Sequence, residues 1–395
     1  MPTPADPPTR FDLAVPGEIR FGAGRVRELP AVLTSLGVTR ALVVTGRTTS
    51  RADAARAYLG EAGIESLVLP VTGEPTVDTV RAGVEVARRG GCDGVVGLGG
   101  GSALDAAKAV SLLALTGDDP LDHLEVVGRG RPIERPGLPW VAVPTTAGTG
   151  SEVTRNAVLS ADGVKASLRS PHLLARVAIV DPDLLAGLPP TTIAHSGCDA
   201  LTQLIEPYLS RRANPVTDAL AREGIRRSAR SLRTAYDQGL AGPSASGTRE
   251  DLAVASLLGG LALANAGLGA VHGFAGVVGG SFDAPHGAVC AALLAPSLAV
   301  NAGALAGRAS DGPARGRLTE VAVLLTGSPG ATEGDAVEWV AGLVEDLDIP
   351  GLSAYGITDA DVPDLVAGAT RASSMKANPV ELTDAELTTM LTRAL

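Results

Sequence analysis

Aromatic residues make up only 3 % of this chain, against 45 % hydrophobic residues overall, so its core is aliphatic and built from Ala, Val and Leu. Cysteine is scarce as well. Cys92, Cys198 and Cys290 are odd in number and none stands in C-x-x-C spacing. That excludes a disulfide framework and a structural zinc knot, and it points to a reducing, cytoplasmic compartment. No run of roughly 18 or more apolar residues marks a membrane span. Residues 1–10 are Pro-rich and lack the apolar segment of a secretion signal. Positive charge is in deficit: 33 Lys and Arg against 43 Asp and Glu leave a net charge of −10. Neither nucleic acid nor an anionic membrane surface is therefore an expected partner.

What the chain does have is glycine in a telling place. Val95-Val96-Gly97-Leu98-Gly99-Gly100-Gly101-Ser102-Ala103-Leu104-Asp105 reads as the end of a buried strand, a tight turn and the start of a helix. A plain turn needs one glycine. Three in a row let the backbone turn sharply and approach a ligand closely. Ser102 and Asp105 have the S-x-x-D spacing of a capping box, and the first-turn N–H groups with the helix dipole suit a phosphate or pyrophosphate. The dinucleotide fingerprint G-x-G-x-x-G would need glycine where Ser102 stands, and no G-K-[ST] P-loop follows, so a nucleotide site here belongs to another lineage.

At 395 residues the chain has room for two domains. In its first half, strands are expected at 18–21, 41–45, 66–70, 94–98, 140–143 and 177–180. Helices are expected at 25–36, 53–62, 77–89 and 104–115. This alternation implies a parallel sheet with helices on both faces, whose ligands bind beyond the C-terminal strand ends, where Gly46, Gly99, Gly100, Gly101 and Ser102 lie. The strand at 140–143 runs into Pro144-Thr145-Thr146-Ala147-Gly148-Thr149-Gly150-Ser151-Glu152, a second ligand-facing loop rich in hydroxyls and glycine. After Leu188-Pro189-Pro190 the strand signals stop. Helical segments follow, among them 199–210, 216–234, 249–265, 337–347 and 384–395, with exposed loops expected at 239–247 and 309–316. The expected boundary gives a domain 1–186 and a domain 187–395.

Five histidines are present: His123, His172, His195, His272 and His286. His272 opens a helical segment, and His286 follows Pro285 at the head of another. Asp199 and Gln203, at i and i+4, share one helix face. A carboxylate with two imidazoles is a set that Fe²⁺ or Zn²⁺ accepts, although spacing alone does not bring the three segments together.

Taken together, these motifs resemble the iron-containing alcohol dehydrogenases over nearly the whole length. The resemblance rests on Gly99-Gly100-Gly101-Ser102-x-x-Asp105-x-x-Lys108, the Pro144–Glu152 loop, Asp199-Ala200-Leu201, and the pair His272 and His286. It implies an α/β nucleotide-binding domain of Rossmann-like parallel-sheet type, an all-helical C-terminal domain and an active site in the cleft between them. It also implies hydride transfer between NAD or NADP and a small alcohol, aldehyde or ketone. Gly99, Gly100, Gly101 and Ser102 would hold the pyrophosphate, with Asp105 also at the cofactor site, Thr145, Thr146 and Thr149 would line the cofactor, and Lys165 would reach its ribose. Asp199, His272 and His286 would bind Fe²⁺ or Zn²⁺, with Gln203 as a weak or absent fourth ligand and with Gln203 and His272 at the catalytic centre. A homodimer is expected.

The chain departs from the family at three places. Gln203 stands where the family usually has a histidine, and a neutral amide is a weaker ligand. Gly276 stands where many members have a proton-relaying histidine; His172, His195 and a solvent water chain through the space at Gly276 are candidate replacements. Gly46 closes the second strand where an aspartate usually selects against a 2′-phosphate. Arg47 follows and is suited to pair with one, so NADPH is expected to be accepted. Two alternatives stay open at this point: an enzyme like maleylacetate reductase with little metal dependence, and a non-catalytic nucleotide-binding protein.

Overall fold

A computed structural model describes residues 10–161, 163–309 and 312–395, and for Arg51 the backbone alone. Most of the Pro-rich stretch 1–10, and Ser310 and Asp311 of the loop expected at 309–316, lie outside the described residues. The chain forms two compact units. One comprises Ala14–Thr146 and Gly150–Ala186; the other comprises Gly187–Leu395 with Ala147–Thr149 and the described residues before Ala14.

The first unit is built on a six-stranded sheet. Its strands are β1 (Glu18–Phe21), β2 (Arg40–Thr45), β3 (Glu65–Pro70), β4 (Gly94–Gly99), β5 (Trp140–Pro144) and β8 (Val177–Val180). Their order is β1-β8-β5-β4-β2-β3, and every neighbouring pair is parallel. The inner strands are short apolar runs buried along their length, as a sheet covered on both faces requires. The linking helices are α1 (Leu29–Ser35), α2 (Ser50–Glu61), α3 (Val77–Arg89), α4 (Gly101–Thr116) and the single-turn α5 (Pro120–His123). Leu29, Leu33, Val43, Val96, Val141 and Ile179 belong to one apolar cluster beneath α1 and α2. From β2 the chain passes outward to β3, then returns to the opposite side of β2 as β4. That reversal opens a crevice at the C-terminal ends of β2 and β4, the usual ligand position in such sheets. Register sets Thr45 beside Leu98 and Gly99 beside Pro144, so β2, β4 and β5 end level with one another.

Two strands were not expected from the sequence. β6 (Asn156–Ala161) and β7 (Val164–Arg169) form an antiparallel hairpin. Asp162-Gly163 between two runs of alternating polarity is a hairpin signal, and Gly163 has the positive φ, 77°, that such a turn demands.

The second unit is helical: α6 (Pro190–Leu209), α7 (Pro215–Gln238), α8 (Ser246–Ala266), α9 (Ala270–Ser281), α10 (His286–Arg308), α11 (Pro313–Thr326), α12 (Glu333–Asp346), α13 (Val362–Arg371) and α14 (Asp384–Thr392). Every residue of α6 from Gly197 to Leu209 is buried, which makes it the central helix of the unit. It begins at Pro190, not at 199, because Pro190 occupies the first helical position, where its missing N–H is no loss. α7 likewise starts early on Asn214, which forms a capping box with Thr217. The exposed loop expected at 239–247 is corrected in part: Leu240 is buried, and buried Arg249 donates to the carbonyls of Leu240 and Gly242 at 2.9 and 2.7 Å. α10 is long and apolar enough to cross a membrane, but 78 % of its apolar window is buried in protein, as in a core helix.

Candidate functional site

The sheet unit supplies the glycine turn. β4 ends at Gly99, Gly100 is the N-cap of α4, and Gly101 and Ser102 form its first turn. A Cβ on Gly99 would stand 2.6 Å from the Ala103 Cβ and 3.3 Å from the backbone N of Gly46. Only glycine lets the end of β2 and the head of α4 come this close. The Thr145 N–H donates to the Gly99 carbonyl at 2.9 Å, which holds the residues after β5 against the turn.

The expected capping box of Ser102 and Asp105 does not form, since no side chain caps α4. The Asp105 carboxylate faces inward instead. It accepts from the Ser151 hydroxyl at 2.6 Å and the Val158 N–H at 3.0 Å, and it lies 3.5 Å from Lys108 Nζ. Lys108 is fully buried and donates to Thr154 Oγ1 at 2.8 Å and to the Asn156 carbonyl at 2.9 Å. Asp105 and Lys108 thus tie the hydroxyl-rich loop and β6 to α4 and leave the leading N–H groups of α4 uncapped for an anion. Burial also pushes the neighbouring Glu152 carboxyl up to about 7. Lys165, on β7, pairs with Glu74 at 2.9 Å. Arg47 is exposed, and a Cβ on Gly46 would meet nothing within 4 Å. Thr146 is half-buried in this unit, whereas Thr149 belongs to the helical one.

The helical unit brings the metal candidates together. Asp199 comes from α6, His272 from the first turn of α9, and His286 from the head of α10. Nε2 of His272 and of His286 lie 3.4 and 3.7 Å from Asp199 Oδ1. Asp199 Oδ1 is buried and has no hydrogen-bond partner, and the same holds for Gln203 Oε1 one turn along α6. A buried carboxylate oxygen facing two ring nitrogens without hydrogen bonds is poorly satisfied by protein alone and well suited to a cation.

Two members of the cluster were not assigned from the sequence. Cys290 Sγ lies 3.9 Å from His272 Nε2 and 3.7 Å from His286 Nε2, and the ligand atoms of Asp199, His272, His286 and Cys290 all fall within 4.8 Å of one another. His286 and Cys290 are i and i+4, one face of α10, a spacing legible in the sequence. Glu206 is the second. Its Oε2 lies 2.7 Å from His272 Nδ1 and its Oε1 accepts the Val271 N–H at 2.7 Å. A Cβ on Gly269 would come within 2.8 Å of Glu206 Oε1, so glycine there lets α9 begin against the carboxylate. Asp199, Gln203 and Glu206, at i, i+4 and i+7, line one face of α6.

The anionic side chains of the cluster favour positive charge on both rings. Burial opposes charge on His272, yet Cys290, Asp199 and Glu206 hold its pKa well above the ordinary imidazole value. The charge of Cys290, ahead of that of Asp199, raises His286 to about 9. Burial raises the Asp199 carboxyl, but His286, His272 and a hydrogen bond from Gln203 outweigh it and hold it below the usual range. His195 lies one turn before Asp199 on α6, and burial lowers its pKa. His172 belongs to the sheet unit and is not part of the cluster. A Cβ on Gly276, one turn after His272, would meet open space.

Comparison with known proteins agrees with both halves. Residues 16–182 match a family model for iron-containing alcohol dehydrogenase, and residues 193–395 match one for the C-terminal part of Fe-containing alcohol dehydrogenases. The chain is 34 % identical to alcohol dehydrogenase 4 of Schizosaccharomyces pombe, over 96 % of this chain and 88 % of that protein. It is 40 % identical to a 1,3-propanediol dehydrogenase of Klebsiella pneumoniae, over 72 % of this chain and 73 % of that one. A crystal structure of 1,3-propanediol oxidoreductase superposes with a TM-score of 0.89 at 34 % identity, covering 98 % of this chain and 100 % of that chain.

Proposed function

The chain belongs to the iron-containing alcohol dehydrogenase family, oxidoreductases acting on CH–OH groups, and from that premise we propose that it interconverts a small alcohol and its carbonyl compound with NAD or NADP as hydride carrier, aided by a divalent metal. The observation that carries the metal's part is the convergence of Asp199, His272 and His286 on a buried carboxylate oxygen that has no partner. Asp199 supplies negative charge, and the two imidazoles supply neutral nitrogen ligands. An ion held there supplies Lewis-acid polarisation of the substrate oxygen, and the nicotinamide supplies or takes the hydride.

The remaining work falls to the chain's own residues. Glu206 accepts the Nδ1 proton of His272, so the Nε2 lone pair points into the cluster. The unpartnered Oε1 of Gln203 accepts a hydrogen bond from the substrate hydroxyl. The uncapped first turn of α4, with Gly100, Gly101 and Ser102, binds the pyrophosphate. Thr145, Thr146 and Thr149 line the cofactor. Gly46 and Arg47 admit a 2′-phosphate, so NADPH is used as well as NADH. With Gly276 in place of a histidine, the hydroxyl proton leaves by solvent on that side. The free thiols of Cys92, Cys198 and Cys290 fit a reducing, cytoplasmic setting.

The test is NAD(P)H oxidation with a panel of short aldehydes, on protein stripped with chelator and then reloaded with Fe²⁺ or Zn²⁺. Turnover that returns with metal is expected. Turnover indifferent to metal would replace this reading with that of a metal-independent reductase, and cofactor binding without turnover would replace it with that of a nucleotide-binding protein.

A further inference from the structure

We propose that Cys290 is a direct ligand of the metal, supplying as thiolate the fourth donor that Gln203 does not, and that the centre is therefore of zinc type; this rests on the reading above that the cluster holds a divalent ion.

Geometry carries the inference. Zinc bonds of about 2.0–2.3 Å to oxygen, nitrogen and sulfur place tetrahedral ligand atoms about 3.3–3.6 Å apart. Four of the cluster's six edges are 3.4 and 3.7 Å from Asp199 Oδ1 to the two imidazole nitrogens, and 3.9 and 3.7 Å from those nitrogens to Cys290 Sγ; the other two are within 4.8 Å. The first four are within a few tenths of an ångström of what one ion would draw together. The placement of the sulfur follows from the helix. His286 is the first residue of α10 and Cys290 stands one turn later on the same face, so the side chain that fixes one ligand fixes the other.

Chemistry favours the same assignment. Cys290 is completely buried, so its sulfur is directed at the ligands and not at solvent. With thiolate and carboxylate together the donor set carries two negative charges, matching a divalent ion, whereas the amide of Gln203 carries none. A thiolate is a soft donor and shifts the site's preference from iron towards zinc and cobalt. Zinc tolerates a fifth ligand in the course of reaction, so four protein donors do not shut out a substrate oxygen.

The test loads full-length, metal-stripped protein with Co²⁺ alone and records its absorption spectrum. Wild type should take up one cobalt per chain and show an intense near-ultraviolet thiolate-to-cobalt charge-transfer band. Cys290→Ser should lose that band and bind cobalt more than about 100-fold more weakly, since even outer-shell partners of a metal ligand are worth 10–100-fold. Gln203→Ala should keep the band. Cys290→Asp should recover cobalt binding without the band, which separates loss of a ligand from loss of the fold. Cobalt bound one to one by wild type with no thiolate band, or a band that survives Cys290→Ser, overturns the assignment of Cys290 and leaves the metal-assisted reading standing. Wild type that takes up no cobalt overturns both.

Discussion

Glu206 and His272 join α6 to α9 through a 2.7 Å contact between the carboxylate Oε2 and the ring Nδ1. The other oxygen of Glu206 accepts the Val271 N–H, so one buried carboxylate fixes both the ring and the helix that carries it. At the start of α9 its charge also meets the positive end of the helix dipole. With an ion on Nε2 this would be the carboxylate–histidine–metal arrangement in which an outer partner sets the tautomer and raises the basicity of the ligand.

Glu206→Gln should therefore weaken metal binding by about 10–100-fold, the usual effect of removing such a partner, with the fold retained because the amide oxygen can still accept from Val271. Competition against a chromophoric chelator reads this directly. Equal affinity in variant and wild type would mean that Glu206 only anchors the helix.

Gly100 bears on the cofactor. Its φ of −79° suits any residue, so what excludes a side chain is space: a Cβ would stand 3.3 Å from Thr146 Oγ1 and Cγ2. Gly100→Val should fill the turn and push Thr146 aside. The Kd for NADH and NADPH, followed by nicotinamide fluorescence, should rise more than about tenfold, a loss of about 1.4 kcal/mol. Metal content should stay at the wild-type level, because the ligands lie in the other compact unit. An unchanged Kd would move the pyrophosphate away from this turn.

The sheet was largely legible because the inner strands are short apolar runs with glycine or proline close by, and because the Gly99-Gly100-Gly101 turn breaks the pattern at the end of β4. The β6–β7 hairpin is less legible, since its strands are short and only half-buried, with no continuous apolar run to mark them. Helix starts were missed at Pro190 and Asn214, where the signal is a proline or a cap and not hydrophobic period. In the metal cluster, Asp199, His272 and His286 were recognisable by residue type. Cys290 shares a legible helix face with His286, but its part in the cluster, like that of Glu206, emerges only where α6, α9 and α10 meet. Asp105 has the spacing of a cap, but its carboxylate is claimed by Ser151 and Val158, partners 46 and 53 residues away. No local pattern announces such a contact.

Glu152 should impose a pH dependence on stability. Burial raises its carboxyl from 4.5 to about 7, against the pull of Lys108. Between these values the folded chain keeps a proton that the unfolded chain has lost. The contribution to stability is thus fully present below about pH 4.5 and is lost as pH rises through about 7. A shift of this size corresponds to about 3 kcal/mol. Glu152→Gln removes the titration. Urea unfolding of both proteins at pH 5 and pH 8 should show the variant gaining on wild type by a few kcal/mol at the higher pH. Curves that stay parallel across that range would show that the carboxyl titrates normally.

The proposed acceptance of NADPH turns on what Gly46 lacks. It follows β2 at the crevice where the strand order reverses, and its backbone N lies close to where a Gly99 Cβ would stand. In dinucleotide sites an acidic residue at the end of this strand hydrogen-bonds the ribose 2′-hydroxyl and repels a 2′-phosphate. Glycine offers neither charge nor bulk, and Arg47 beside it is exposed and suited to a phosphate. A Cβ at 46 would meet nothing within 4 Å, so Gly46→Asp should fold as wild type does. On the proposed cofactor site the carboxylate would then stand against the 2′-phosphate. Like charges juxtaposed at close range cost at least about a kcal/mol, so the ratio of kcat/KM for NADPH to that for NADH should fall by about tenfold or more. Arg47→Ala should move the ratio in the same direction by a smaller factor, because it removes an attraction without adding a repulsion. Wild type that uses NADH efficiently and NADPH not at all would show that neither residue faces the adenosine ribose.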